Sequence, residues 1–236
     1  MGPLINPYPP LLSLAVHELR TPASVVGGYL RMLQKDQDPP MSERQLHMID
    51  EAEKSCARLT AIVAELSDIG KLDSGTLKLA QQSLDLFSLT AEVAELVHEG
   101  RDRDVHLKLL GPSDGARMTG DASRLRTAID AIFRAILREQ PGPGTVVAER
   151  RRETVDGRPS AVLVVADEAS VQEAYERASD PFDDRRGGLG LALPLARRVI
   201  EGHGGRVWSP AATASTSSSS DSLARGSAVI SFPLGS

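Results

Sequence analysis

The chain has 236 residues, 41% apolar and 25% charged, with 27 Lys and Arg against 32 Asp and Glu for a net charge of −5. That length buries one good core or two modest ones, and the acidic balance disfavours non-specific binding to nucleic acid or anionic lipid. Aromatics at 3% and a single cysteine, Cys56, argue against base-stacking surfaces and exclude an internal disulfide and any CxxC metal site.

No apolar run is long enough to span a membrane and no secretory signal opens the chain, so a cytoplasmic location is expected. Pro3, Pro7, Pro9 and Pro10 argue against a regular helix before Leu11, and residues 1–10 are expected to be irregular. From Leu11 the positions Leu12, Val16, Leu19, Ala23, Val26, Leu30 and Leu33 recur at three and four, which predicts one helix to about Lys35 with a kink at Pro22. Residues 36–40 break it. Ser42 followed by Gln45 predicts a capping box for a second helix, with a stripe through Leu46, Ile49, Cys56, Leu59, Leu66 and Ile69. Two long helices with a short joint cannot cover both stripes. Pairing with a second copy as a four-helix bundle is the economical solution, and packing of the hairpin on its own C-terminal half is the alternative.

From Leu77 the period changes. Short β-type runs at 84–87, 105–110, 145–148, 161–166 and 228–232 alternate with helical runs at 88–99, 122–139 and 191–201. Asp156-Gly157 is a hairpin turn signal. The expectation is an α+β chain: an antiparallel helical hairpin over 11–76 forming a dimeric four-helix bundle, then a two-layer α/β sandwich over 77–236. Arg150-Arg151-Arg152 is expected on a solvated strand face or edge. The Ser/Thr/Ala-rich stretch within 211–225 is expected to be a flexible loop.

His17-Glu18-x-x-Thr21-Pro22 resembles the H-box of the sensor histidine kinases of two-component systems. An imidazole attacks a phosphoryl group when one ring nitrogen is free and the other is held, and an adjacent carboxylate accepts the ring proton. The resemblance implies His17 as phosphoacceptor and Glu18 as that carboxylate. It gives Thr21, one helical turn on, a part in dephosphorylating a partner response regulator. Gly187-Gly188-Leu189-Gly190-Leu191-Ala192-Leu193 resembles the glycine box of the family's GHKL-type ATP-binding domain, a fold shared with gyrase-type and chaperone ATPases. There backbone N–H groups of Gly188, Gly190 and Leu191 would approach the phosphates of ATP at a helix N-terminus. Asp167 matches the aspartate that would bind the adenine amino group, and Arg138 stands where a family Lys contacts phosphate. Glu201-Gly202-His203-Gly204-Gly205 resembles a helix-ending His-Gly-Gly, which implies a C-cap and turn for His203. His47, His98 and His106 have no partner pattern.

The resemblance also meets departures. Asp167-Glu168-Ala169-Ser170-Val171 lacks both glycines of the D-x-G-x-G hinge of the ATP lid, here 170–186, although Asp180-Pro181-Phe182 resembles the family's F-box. Aligned on Arg124-Leu125, the two Asn of the N-box are Ala131 and Ala135. The family's Mg²⁺ therefore loses its Asn ligand to Ala135, which leaves no metal-ligating residue assigned. Glu139, four residues on and on the same helix face, is the substitute to consider.

The resemblance implies a kinase core that autophosphorylates His17 from ATP and passes the phosphoryl group to a receiver-domain aspartate, working as a homodimer. A membrane would enter only through a sensor region outside this sequence. The alternative is a catalytically weak or dead pseudokinase serving as a dimeric docking scaffold or regulator phosphatase.

Overall fold

The computed structural model describes residues 8–35, 40–212 and 222–234. The chain divides into two compact units, residues 1–77 and 78–236. In the first, helix α1 (Tyr8–Lys35) and helix α2 (Glu43–Asp73) form an antiparallel hairpin. α1 begins three residues earlier than expected, with Pro9 and Pro10 in its first turn. A first turn has no intrahelical use for its N–H groups, so proline's missing donor costs nothing there. Pro3 and Pro7 lie outside the described residues. The helix continues through Pro22.

α2 starts with the expected capping box. Ser42 Oγ accepts from the Gln45 N–H at 3.3 Å, and Gln45 Oε1 accepts from the Ser42 N–H at 2.9 Å. The helices approach closely at Gly27, where an added Cβ would lie 3.2 Å from Cys56 Sγ. The Cys56 thiol donates to the Ala23 carbonyl at 3.1 Å. Cys56 is thus a small packing residue between the helices. Val16, Ala23, Val63 and Ile69 are buried, whereas Val26, Tyr29, Met32 and Leu33 on α1 and Leu59 and Ile62 on α2 remain exposed. Each helix keeps part of its apolar stripe uncovered.

The second unit runs β1 (Gln82–Asp85), α3 (Leu86–Leu96), β2 (Val105–Leu110), β3 (Arg117–Gly120), α4 (Ala122–Glu139), β4 (Gly144–Val155), β5 (Arg158–Asp167), α5 (Val171–Glu176), β6 (Ser179–Pro181), α6 (Ala192–Gly202), β7 (Arg206–Pro210), α7 (Ser222–Arg225) and β8 (Ala228–Pro233). β1 pairs with β3, and the other six strands form one sheet in the order β2-β4-β5-β8-β7-β6, antiparallel except for β2 with β4. The Asp156-Gly157 turn has φ of 50° and 77°, the left-handed pair that a tight hairpin needs. α4 lays Leu125, Ile129, Ile132, Phe133 and Ile136, all fully buried, into the core. Val162, Val164 and Ala166 of β5 build a smaller cluster on the other face with Ala174 of α5, flanked by Tyr175 and Leu223.

Three local expectations change. Leu86 and Phe87 open α3 instead of extending β1, because Asp85 accepts from the Phe87 and Ser88 N–H groups at 3.0 and 3.2 Å and starts a helix there. Residues 222–225 form the helical turn α7, while 213–221 of the expected loop lie outside the described residues. Arg150 is buried on the interior strand β4, not solvated at an edge. Its guanidinium donates to the carbonyls of Leu110, Phe87 and Gly111 at 3.2–3.3 Å. Burial pushes its pKa down. A charge enters the interior here because each of its three nitrogens donates to a carbonyl.

Candidate functional site

His17 stands on the outside of α1 with its side chain 75% exposed. Its Nδ1 faces Glu18 Oε1 at 3.4 Å, and Nε2 has no partner among the described residues. One nitrogen is thus oriented toward a carboxylate while the other stays open to solvent. Thr21, also exposed, follows one turn later on the same helix. The first unit therefore presents an accessible nucleophile with an adjacent proton acceptor.

The second group of residues is arranged around α4. Asp121 caps this helix: its Oδ1 accepts from the Arg124 N–H at 3.1 Å and its Oδ2 from the Ala80 N–H at 3.2 Å. Burial alone would raise the Asp121 carboxyl. The two N–H donors and the charge of Arg124 outweigh it and hold the pKa below its ordinary value. His203 ends α6 as a cap, as expected, and it does more. Nδ1 lies 2.7 Å from the Val199 carbonyl, and Nε2 accepts from the Asp121 N–H at 2.9 Å. The ring thus ties the end of α6 to the start of α4. At the other end of α4, Arg103 donates to the Gln140 and Leu137 carbonyls at 2.9 and 3.0 Å, a cation closing the negative end of the helix.

Gly187, Gly188 and Gly190 all have positive φ, between 61° and 67°, so the loop before α6 needs glycine at these places. Gly187 lies directly on α4: a Cβ there would sit 2.8 Å from Ala135 Cα. Both sides of the residue are held. Its N–H donates to Glu139 Oε1 at 3.0 Å, and its carbonyl accepts from Arg138 Nη1 at 3.2 Å. Arg138 also pairs with Glu99 at 3.0 Å, so it is engaged with protein groups on both sides. Gly187 and Gly188 line a cavity of about 720 Å³ with Asp180, Arg185, Arg225 and Ser209 among its other walls. Asp167 is not part of that wall. It ends β5, and its Oδ1 accepts from the Ala169 N–H at 2.9 Å. The structure thus joins Arg138 to the glycine loop and leaves Asp167, Gly190 and Leu191 without a shared polar contact.

The stretch after Asp167 needs no glycine, because none of its residues has positive φ and Ser170, with φ −115°, simply precedes α5. The segment beyond is stitched down. β6 pairs with β7, and Phe182 is buried beneath the Arg186 guanidinium at 4.1 Å from the ring centre. Arg186 donates to the carbonyls of Arg225 and Ser227 at 2.6 and 2.9 Å and to Ser209 Oγ at 2.8 Å. Burial pulls its pKa down to about 10 against the opposing charges of Asp183 and Glu139, so it stays charged at neutral pH. No local sequence signal marks Arg186, since its hydrogen-bond partners Ser209, Arg225 and Ser227 lie across the fold.

A magnesium ion needs oxygen ligands in near-octahedral array. Ala135 supplies none and is fully buried under Gly187. Glu139, the substitute considered from sequence, is already spent: Oε1 takes the Gly187 N–H and Oε2 pairs with Arg225 at 2.9 Å. Asp130 pairs with Arg134 on the same helix at 2.9 Å. The residues present do not fit a divalent cation on this stretch of α4.

Residues 11–75 match the His Kinase A (phospho-acceptor) domain family. Over 202 residues the chain is 28% identical to a probable sensor histidine kinase, TcrY, of Mycobacterium tuberculosis, covering 82% of this chain and 41% of that protein. The chain is similar to sensor histidine kinases over most of its length. It is also 26% identical over 200 residues to the alginate biosynthesis sensor protein KinB of Pseudomonas aeruginosa, covering 82% of this chain and 33% of KinB. It therefore spans less than half the length of these curated relatives. Among solved structures, full-length ShkA in complex with AMPPNP aligns with a TM-score of 0.66 and 19% identity over 97% of this chain and 47% of ShkA. The Acinetobacter baumannii histidine kinase AdeS aligns at 0.55 and 16% over 93% of this chain and 98% of that one. The fold shared with these structures is a helical hairpin followed by a mixed-sheet domain. Among the described residues no helix is long and apolar enough to cross a membrane.

Proposed function

We propose that this chain is the catalytic core of a sensor histidine kinase, in which ATP phosphorylates His17 and a response-regulator aspartate then receives the phosphoryl group. The observation that carries this reading is the exposed His17 with Nδ1 turned to Glu18 and Nε2 open. The Nε2 lone pair attacks the γ-phosphorus, the bond to the bridging oxygen breaks and ADP leaves. Glu18 takes the Nδ1 proton as positive charge develops on the ring. Thr21 would orient water for the reverse task of dephosphorylating the regulator.

Residues 11–76 act in this reading as the dimerisation and phosphotransfer domain, and 77–236 as the nucleotide domain. The uncovered stripe through Val26, Tyr29, Met32 and Leu33 supports a homodimer closed as a four-helix bundle. Asp167 would meet the adenine, while Gly188, Gly190 and Leu191 would meet the phosphates. Arg138 would reach them only by exchanging a protein partner for a phosphate oxygen.

The test is incubation of the purified chain with γ-labelled ATP beside a His17→Ala control. Acid-labile label in the wild type and none in the variant is the expected result. Absence of label in folded, dimeric protein would overturn the kinase reading in favour of the docking scaffold or regulator phosphatase.

A further inference from the structure

The place where a metal-ligating side chain would stand on α4 is filled by the glycine loop itself. Ala135 is fully buried, and Gly187 lies so close that a Cβ would meet the Ala135 backbone at 2.8 Å. A side chain longer than alanine at 135 could not remain under the loop at this separation. Two consecutive residues one turn further on then grip the same glycine from both ends. Glu139 accepts its N–H at 3.0 Å and Arg138 donates to its carbonyl at 3.2 Å. The grip is braced from outside: Glu139 by Arg225 at 2.9 Å, and Arg138 by Glu99 at 3.0 Å. Arg186, the residue before Gly187, is anchored in turn on the Arg225 and Ser227 carbonyls and on Ser209.

We propose that Arg138 and Glu139 latch the glycine loop directly onto α4 in the place a divalent cation would bridge, so that ligand binding at this loop does not depend on a cation held by α4. The chemistry supports the exchange. A bridging cation joins loop and helix through a bound phosphate, whereas a carboxylate taking a backbone N–H joins them with no ligand present. Glu139 is only 13% exposed at its side chain, so its charge-assisted bond is shielded from water and strong. Each of its oxygens already has a partner, so a metal on either one would compete with Gly187 or with Arg225. Arg138 and Glu139 are positioning residues in this account, acting through the loop backbone. The nucleotide part of the inference rests on the reading of residues 187–191 as a phosphate-binding loop; the latch itself does not.

Two measurements on the full chain separate these layers. The first is amide hydrogen exchange, read by mass spectrometry on peptides covering 183–191, without nucleotide. The latch predicts slow exchange in the wild type, unchanged by millimolar Mg²⁺. It predicts roughly tenfold or faster exchange there in Glu139→Ala, with the β5 and β8 peptides unaffected. Ala135→Asn, which pushes Gly187 off α4 and leaves the carboxylate in place, should loosen the same peptides and serves if Glu139→Ala does not fold. Exchange in either folded variant equal to wild type, or wild-type protection that appears only with Mg²⁺, overturns the latch.

The second measurement is calorimetric titration with ADP in Mg²⁺ and in EDTA. Affinities within about threefold of each other are expected, and a Mg²⁺ gain of about tenfold or more overturns the cation-independence. A protected loop with no ADP binding in either buffer overturns both the ligand half of this proposal and the nucleotide-domain reading, and leaves the latch standing.

Discussion

Replacing Asp121 by alanine tests how α4 is held in place. The carboxylate caps the helix through the Arg124 N–H and holds the chain entering the domain through the Ala80 N–H. Loss of an N-cap costs about 1 kcal/mol, and loss of the second, exposed hydrogen bond from Ala80 costs up to about 1 kcal/mol more. The sum of up to about 2 kcal/mol corresponds to a fall of up to roughly 4–8 °C in the melting temperature of a domain this size. The pH dependence follows from the depressed carboxyl. A folded pKa below the unfolded one means that the unfolded state binds more protons across that window. The stabilisation is therefore complete above the unfolded value of about 4 and is lost as pH falls through the folded value. The assay is scanning calorimetry of wild type and Asp121→Ala between neutral and strongly acidic pH. The gap between the two should be constant from neutral pH down to about 5, then shrink at lower pH. A gap that persists undiminished in strong acid, or no gap at neutral pH, would refute the capping argument.

Two further outcomes follow from packing. Arg150→Met removes the guanidinium hydrogen bonds to the Phe87, Leu110 and Gly111 carbonyls and should cost roughly 2–4 kcal/mol in denaturant unfolding, since each contributes about 1 kcal/mol net; a loss under about 0.5 kcal/mol would mean that water replaces the guanidinium freely. Val26→Glu with Leu33→Glu places charges on the uncovered stripe of α1 and should convert a dimer to monomers in light scattering with at least a ~100-fold rise in the dissociation constant. An unchanged dimer would place the interface on another face.

The elements that were legible in the sequence are those whose causes are local. α4 and β2 match their expected limits because a strong apolar period and an Asp cap act within a few residues. The α2 capping box and the Asp156-Gly157 turn are local in the same sense. His17, Glu18 and Thr21 fall on one short helical stretch, so their mutual placement on α1 follows once the helix is known. The short strands β3 and β6 gave no usable signal. β6 exists only because β7 offers it an edge, and three residues carry no period of their own.

What the sequence by itself determined was the order of parts: a hairpin with an exposed histidine beside a carboxylate, then a mixed sheet with a glycine loop ahead of α6. Each depends on interactions within one or two helical turns or one strand pairing. Tertiary structure alone decided what became of the charged and the missing side chains. Arg150 stands in a run of three arginines, yet it reaches a carbonyl 63 residues away. Glu139 shares the helix face of Ala135, yet its oxygens go to Gly187 and Arg225, far along the chain. The physical reason is the same for both. A buried charge must be paired with whatever donors or acceptors the fold brings to it, and that pairing is a property of distance in space.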